Sequence, residues 1–266
     1  MTDAAMTDPV EQLIRRVAAE AVMPRFRNLA AADKEEKAPD DWVTIADREA
    51  ELMLTDGLAA LDPGTRIVGE EATAADASLL DGIGTARLWL IDPVDGTGNF
   101  AAGRAPFGIM VALVEDGVPV EGWILDPLAD RLCHARAGAG ATVNGAPVHA
   151  RFSGRPRPVA ALATYFMNEE QRRDLSARAD PVYECVDIPR CAAEQYPRLV
   201  FGENDVAIFE RTLPWDHAPG TLFLNEAGGK VTRMDGTPYR IGDTRRGLLG
   251  TSTPRLWDQA AKVLFG

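Results

Sequence analysis

The segment Trp89 to Phe100, "WLIDPVDGTGNF", sets two carboxylates three residues apart across a proline and follows them with Gly96, Thr97 and Gly98. An apolar run ends at Asp92, so this acid stands at the carboxyl edge of a strand, where ligands of open sheets gather. Pro93 restricts its own φ and the backbone of Asp92 before it. That restriction holds Asp92 and Asp95 in a near-fixed relation about one centre, with a carbonyl such as that of Val94 turned inward. Two carboxylates kept so close repel unless a cation joins them, and a hard divalent ion accepts carboxylate, carbonyl and water oxygens. Gly96, Thr97 and Gly98 bring bare amides up to an anion, an arrangement favoured where a helix starts. The chemistry on offer is a metal beside a phosphate. Taken alone, D-x-x-D-G is also a common turn, so other segments must decide.

The elements that position these acids are legible from period and punctuation. Val10, Leu13, Ile14, Val17, Ala18, Ala21 and Val22 recur at helical spacing behind Asp8 as N-cap and Pro9 in the first turn. The stretch 31–42, "AADKEEKAPDDW", reads as an exposed polar loop with solvated charges. Ala46, Ala50, Met53, Leu54, Leu58 and Leu61 mark a second helix. From Thr65 the signal becomes short apolar runs. Turns at Asp116-Gly117, Asp126-Pro127 and Asn144-Gly145 predict an antiparallel meander. The remainder alternates: strand-like "PVAALATYF", "PVYECVDI" and "DVAIFE" with helix-like "NEEQRRDLSARA" and "RCAAEQYPRLVFG", then helices from near Trp215 and Pro254. With no repeat and no linker, the expectation is one domain over 1–266, its two lobes meeting near residue 150.

Composition bounds the function. Lys and Arg total 28 against 40 Asp and Glu, a formal charge of −12, which supplies no general field for nucleic acid phosphates. With 46% hydrophobic and 26% charged residues, the chain has the make-up of an ordinary globular protein. Cys133, Cys185 and Cys191 form an odd, scattered set without C-x-x-C spacing, which suits a reducing cytoplasm. Cys133 and Cys185 read as small buried hydrophobes. The amino terminus lacks the features of a signal peptide, and no apolar run approaches a membrane span. A cytoplasmic protein without nucleic acid or membrane partners is expected.

Three further segments join the first: "VTIAD" at Val43 to Asp47, "GEE" at Gly69 to Glu71, and "PWDHAPGTLFLNEAGG" at Pro214 to Gly229. In this order the chain resembles the inositol monophosphatase-like family of magnesium-dependent, lithium-sensitive phosphatases. The resemblance implies a five-layer α/β/α/β/α sandwich. It implies metal ligation by Glu70, Asp92, Asp95 and Asp216 with the Val94 carbonyl, for two or three Mg²⁺ ions. Thr97 and Asp47 match the pair that orients the nucleophilic water, Glu70 joins them as catalytic, and Gly96 and Thr97 fall at the phosphate. In such a site one ion activates water while another steadies the leaving oxygen, so in-line attack needs no covalent intermediate. The resemblance further implies a homodimer, lithium inhibition, and inositol 1-phosphate or a related polyol phosphate as substrate. Related folds hydrolyse histidinol phosphate, fructose 1,6-bisphosphate and 3′(2′),5′-bisphosphate nucleotides, which stay open as alternatives. A non-catalytic metal- and phosphate-binding regulatory module is the reading from another class; intact ligand and water-orienting positions argue against it.

Each motif residue also has a plain structural reading. Asp47 suits a first-turn cap, Glu70 a solvated strand-end acid, and Asp216 an N-cap with Pro219 in the first turn. Trp89, Trp215 and Phe100 read as packing residues and His217 as structural, while His134 and His149 carry no motif. The chain also departs from the family pattern. In "PRCAAEQY", Arg190 and Cys191 stand where a glycine and a hydroxyl are usual, leaving Ala192 to line the substrate pocket. In "FERTLPWD", Glu210 reaches sugar hydroxyls only with a one-residue shift, and Arg211 suits a second phosphate or a carboxylate. Both also read as solvated charges. The 31–42 segment corresponds to a family loop that brings a lysine, here Lys34 or Lys37, near the outer metal.

Overall fold

The computed structural model describes residues 8–38, 41–165 and 167–266. Asp8 accepts the Val10 N–H at 2.8 Å, and Pro9 opens helix α1, Pro9–Val17, with Val10, Leu13, Ile14 and Val17 as its buried stripe. The chain runs on through a π-type turn, Ala18–Val22. Next, Lys34–Ala38 and Asp41–Thr44 pair antiparallel as β1 and β2. The exposed loop expected at 31–42 is therefore largely a hairpin. Its polar residues gave no strand signal because Lys34, Glu35, Glu36 and Lys37 are not buried, so neither face needs apolar alternation. Residues 39 and 40 of that expectation lie outside the described residues.

Helix α2, Ile45–Leu61, leads to β3, Arg66–Gly69, helix α3, Glu70–Ala75, strand β4, Leu88–Asp95, and helix α4, Thr97–Ala101. The meander follows as β5, Gly108–Glu115, β6, Val118–Asp126, β7, Arg131–Arg136, β8, Gly140–Val143, and β9, Ala146–Val148. Strands β3 to β9 lie side by side in chain order. The antiparallel expectation holds from β4 to β9, but β3 and β4 are parallel. A parallel neighbour needs a crossover, and α3 with the turn after it supplies one.

The second sheet is built from β10, Val159–Leu162, helix α5, Glu169–Ala179, β11, Glu184–Val186, helix α6, Ala192–Phe201, and β12, Val206–Phe209. Helix α7, Pro214–Glu226, β13, Lys230–Arg233, β14, Leu248–Thr251, and helix α8, Pro254–Phe265, complete it. Its order is β11-β10-β12-β14-β13, with β10, β11 and β12 parallel.

Side-chain alternation along the strands decides the layering. On β4, Trp89 and Ile91 pack with α1 and α2, while Leu88 and Leu90 turn to the opposite face. There they meet α6 and α7, which also take Ala207 and Phe209 from one face of β12. Val206 and Ile208 from its other face join α5 and α8. The result is the five-layer α/β/α/β/α sandwich. Two close approaches seat the central helices: a Cβ on Gly108 would lie 2.7 Å from that of Ala193, and one on Gly122 would lie 2.8 Å from the Pro219 Cα. Glycine lets the start of α6 press against the large sheet beside the end of β4, and α7 press against it at β6.

Trp89, Phe100 and Trp215 are buried packing residues. Cys133 and Cys191 are buried, but Cys185 is exposed, against expectation, because it lies on the edge strand β11. Among the described residues, no helix is long and apolar enough to cross a membrane.

Candidate metal centre

Strand β4 is buried along its whole length and ends in the Asp-Pro-Val-Asp turn. Residues three apart on a regular strand point to opposite faces. Here Asp92 pairs opposite Met110 and Asp95 opposite Gly108, so a register shift lies between the acids. That bulge re-aims one side chain, and both carboxylates line the same cleft. The cleft, about 720 Å³, opens between elements of both sheets. Every candidate site residue except Asp47 lines it.

Other elements bring the remaining acids there. Glu70 is the first residue of α3, and it is Glu51 of α2 that caps this helix. Glu51 accepts the Glu71 and Ala72 N–H groups, each at 2.8 Å. Gly69 leaves the space: a Cβ there would fall 2.3–2.7 Å from the Glu51 carboxylate atoms. Asp216 is the third residue of α7, whose N-cap is Leu213, not Asp216. Pro214 occupies the first position, and Pro219 lies inside the helix beyond its first turn.

Asp95 joins the halves of the molecule. Its Oδ2 accepts the Ala193 N–H at 2.6 Å, and Ala192 and Gly96 N–H groups also approach the carboxylate. Cys191, at the N-cap of α6, makes no side-chain cap bond, so Asp95 caps that helix from across the cleft. The Cys191 thiol faces the Asp95 carbonyl at 3.8 Å.

Asp47 lies behind Thr97. Its Oδ2 accepts from the Thr44 N–H at 2.8 Å and the Thr44 hydroxyl at 2.6 Å. The capping reading is thus correct, and Asp47 has a further contact: its Oδ1 is 3.1 Å from Thr97 Oγ1, which is also 2.8 Å from the Val94 carbonyl. The hydroxyl has one proton for these two oxygens. Burial pushes the Asp47 carboxyl up to about 7 against its Thr44 bonds, and in its protonated form it supplies the second hydrogen.

The charges crowd one another. Burial first, then Asp216, raises Glu70 well above the usual carboxylate range, with Lys37 opposing. Burial, then Glu70, Asp95 and Asp216, does the same to Asp92. Asp95 is also raised by burial, against its hydrogen bonds. Lys37 on β1 puts its ammonium 3.0 Å from Glu71 and 3.7 Å from Glu70. It is not the wholly solvated charge that its run of polar neighbours suggested.

Among the described residues, the group of three or more potential ligands whose donor atoms all lie within 4.8 Å is a different one, Asp8, Glu121 and His134. Its oxygens are engaged: Asp8 caps α1 and holds the Trp123 N–H at 2.7 Å, while Glu121 pairs with Arg136 and His134. Glu70, Asp92, Asp95 and Asp216 are spread more widely around the cleft.

The inositol monophosphatase family model matches residues 3–264. The chain belongs to that family. Members are phosphatases acting on phosphoric monoesters, and so is this protein. It is 34% identical over 218 residues to an inositol-1-monophosphatase of Bacillus subtilis, covering 80% of each chain. It is 30% identical over 224 residues to a fructose-1,6-bisphosphatase/inositol-1-monophosphatase of Aquifex aeolicus, covering 82% and 81%. An inositol monophosphatase structure from Thermotoga maritima superposes with a TM-score of 0.76 at 27% identity, covering 95% of this chain and 94% of that one.

Arg190, Ala192, Glu210 and Arg211 line another part of the cleft wall. Arg190 has a φ of 54°, in the left-handed region that glycine favours, and its guanidinium lies 5.2 Å from the Tyr165 ring centroid. Ala192 opens α6 at the cleft wall, and Glu210 follows β12 there. His217 is buried and held down to about 4 by desolvation, hence neutral. Its Nε2 donates to the Arg211 carbonyl and its Nδ1 accepts from the Tyr196 hydroxyl, each at 2.8 Å. It fixes the Glu210–Arg211 rim, in line with its structural reading. Glu51 and Gln195 escaped the sequence motifs. Spacing held a signal for Glu51, one helical turn beyond Asp47 on the same face of α2; the unpartnered Gln195 amide had none.

Proposed function

We propose that the protein is a Mg²⁺-dependent phosphatase of small phosphomonoesters, with inositol 1-phosphate or a related polyol phosphate as substrate. The observation that carries the reading is the crowding of Glu70, Asp92, Asp95 and Asp216 on one cleft, where burial raises Glu70, Asp92 and Asp95 and repulsion from neighbouring carboxylates adds to the rise of Glu70 and Asp92. Oxygen donors with this much negative charge fit hard divalent cations. Their spread suits two or three ions better than one, with the Val94 carbonyl as a further donor. Bound Mg²⁺ supplies Lewis acidity, which makes water a stronger nucleophile near neutral pH and offsets charge on the leaving oxygen.

The chain's own groups do the rest. Thr97 Oγ1, held by Asp47 and Val94, orients water for in-line attack, with Asp47 behind it to take a proton. The Thr97 and Gly98 amides open α4 ahead of those of Asn99 and Phe100, which bond the Gly96 carbonyl, and suit phosphate oxygens, and Gly96 frees the approach. Glu70 holds its place in the site through the Glu51 cap. Ala192 and Glu210 face the alcohol portion. Both sheets contribute, so we read 1–266 as one phosphatase domain whose lobes meet near residue 150. We extend the reading to lithium inhibition, a homodimer and a cytoplasmic location.

A second reading is a bisphosphate substrate. Arg104, Arg190 and Arg211 line the same cleft, and the Aquifex aeolicus relative carries a double name. The test is phosphate release from inositol 1-phosphate, histidinol phosphate, fructose 1,6-bisphosphate and a 3′,5′-bisphosphate nucleotide, with Mg²⁺ or with chelator. Fastest Mg²⁺-dependent release from the inositol ester is expected. Binding of Mg²⁺ without release from any ester would turn the reading toward a regulatory module.

A further inference from the structure

Asn99 is the third residue of α4 and half-buried. Its Nδ2 donates to the Pro106 carbonyl at 2.9 Å and to the Pro189 carbonyl at 3.0 Å. A carboxamide has two N–H hydrogens, so both are spent on main-chain acceptors from separate parts of the chain. Pro106 precedes β5, and its carbonyl would stand 3.0 Å from a Cβ on Gly96. Pro189 belongs to the run 187–191 between β11 and α6, which is in neither helix nor strand. Among the described residues, Ile188 and Pro189 make no backbone–backbone hydrogen bond, so the Asn99 amide is what holds the Pro189 carbonyl. Ile188, Pro189, Arg190, Cys191 and Ala192 all line the cleft. Helix α4 has other anchors. Phe100 is fully buried against the rings of Phe26 and Phe107, and the Lys34 ammonium donates to the Ala101 carbonyl at 2.6 Å. The helix is therefore the fixed partner, and the 187–191 wall is the part that is held.

We propose that Asn99 is a positioning residue: it latches the cleft wall at 187–191 to the helix on the phosphate side, and so fixes where the alcohol portion of the ester lies relative to the reacting bond. The inference rests on the phosphatase reading above and adds a residue to it. Thr97 and Gly98 open the same short helix from which Asn99 reaches the wall, so one anchored element sets both halves of the substrate site. Without the latch, the Pro189 carbonyl turns to water and the wall must be ordered each time an ester binds, which weakens binding. Inorganic phosphate has no alcohol portion and draws nothing from the wall.

The test uses Asn99→Leu, which keeps the branched shape and removes both donors, in the full chain with Mg²⁺; Asn99→Ala is the second variant should the first not fold. The substrate is whichever of the four esters above wild type hydrolyses fastest, and inorganic phosphate is the competing probe. KM for the ester is expected to rise ~10-fold with kcat within ~3-fold of wild type. The inhibition constant of inorganic phosphate should stay at its wild-type value. Hydrogen exchange over 188–195 should quicken while exchange over 97–103 is unaltered. An unchanged KM, or unchanged exchange over 188–195, overturns the inference alone. So does a parallel loss of ester turnover, phosphate affinity and melting temperature, or failure of both variants to fold, since Asn99 would then be structural only. Wild type inert toward all four esters overturns the phosphatase reading and the inference with it.

Discussion

Asp95 has two jobs that a single substitution separates. As a candidate ligand it contributes charge; as the cap of α6 it contributes an acceptor for the Ala193 N–H at 2.6 Å. Asp95→Asn keeps an acceptor oxygen of the same size and removes the charge. Asp95→Ala removes both, which costs ~1 kcal/mol for the cap and ~1–3 kcal/mol for a buried amide left unpaired. In chelator, Asp95→Asn is expected to melt within a few degrees of wild type, because a lost charge-assisted bond is offset by relief from Asp92. Asp95→Ala should melt clearly lower. With Mg²⁺ at about 100 times its Kd, wild type gains about 2.7 kcal/mol. For a chain this long that is roughly 5–10 °C. Asp95→Asn should lose most of this rise, and its phosphate release should fall at least ~100-fold. Thermal unfolding with and without Mg²⁺, beside a phosphate-release assay, reads both effects. An Asn variant that gains as much from Mg²⁺ as wild type and turns over at the same rate would refute the assignment.

Thr97→Val removes the hydroxyl and keeps the shape; kcat should drop ~100-fold or more with KM little altered, and Thr97→Ser should recover much of it. Equal kcat in Val and wild type would remove Thr97 from water orientation. Gly69→Ala places a Cβ against the Glu51 carboxylate, so the α3 cap should break at a cost of ~1–3 kcal/mol, with activity falling as Glu70 shifts; an unaltered melting temperature would show that Glu51 is no strut. Asp47 has its folded value raised to about 7, above its unfolded value, so its contribution is present at low pH and lost as pH rises through 7. Measured in chelator against Asp47→Asn, wild type should therefore lose stability between about pH 5 and about pH 8. A wild type that gains relative to the variant over that range would reverse the sign and sink the burial argument.

Much of the fold was written in local pattern. The α1 stripe behind Asp8 and Pro9, and the turns of the meander, appear where periodicity and punctuation put them. The hairpin over 34–44 did not, since its first strand, 34–37, lies outside the core and places no demand on side-chain alternation. The parallel β3–β4 pair escaped for a related reason: a six-residue helix in the crossover is too short to carry a period. Cys185 misled because a β-rich segment does not say which strand will lie at an edge.

The candidate ligands divide in the same way. Residue type and order within D-P-V-D-G-T, G-E-E and W-D suffice to nominate Asp92, Asp95, Glu70 and Asp216, because metal chemistry constrains identity at short range. Tertiary structure alone decides what those acids lean on: the bulge that turns Asp92 and Asp95 to one cleft, Glu51 beneath Glu70, and Ala193 against Asp95. It alone decides that the Gln195 amide and one Glu210 oxygen, Oε2, are buried with no hydrogen-bond partner among the described residues. Hydrogen-bond partners come from distant parts of the chain, and a local motif has no means of encoding whether a buried donor will find an acceptor once five layers have closed around it.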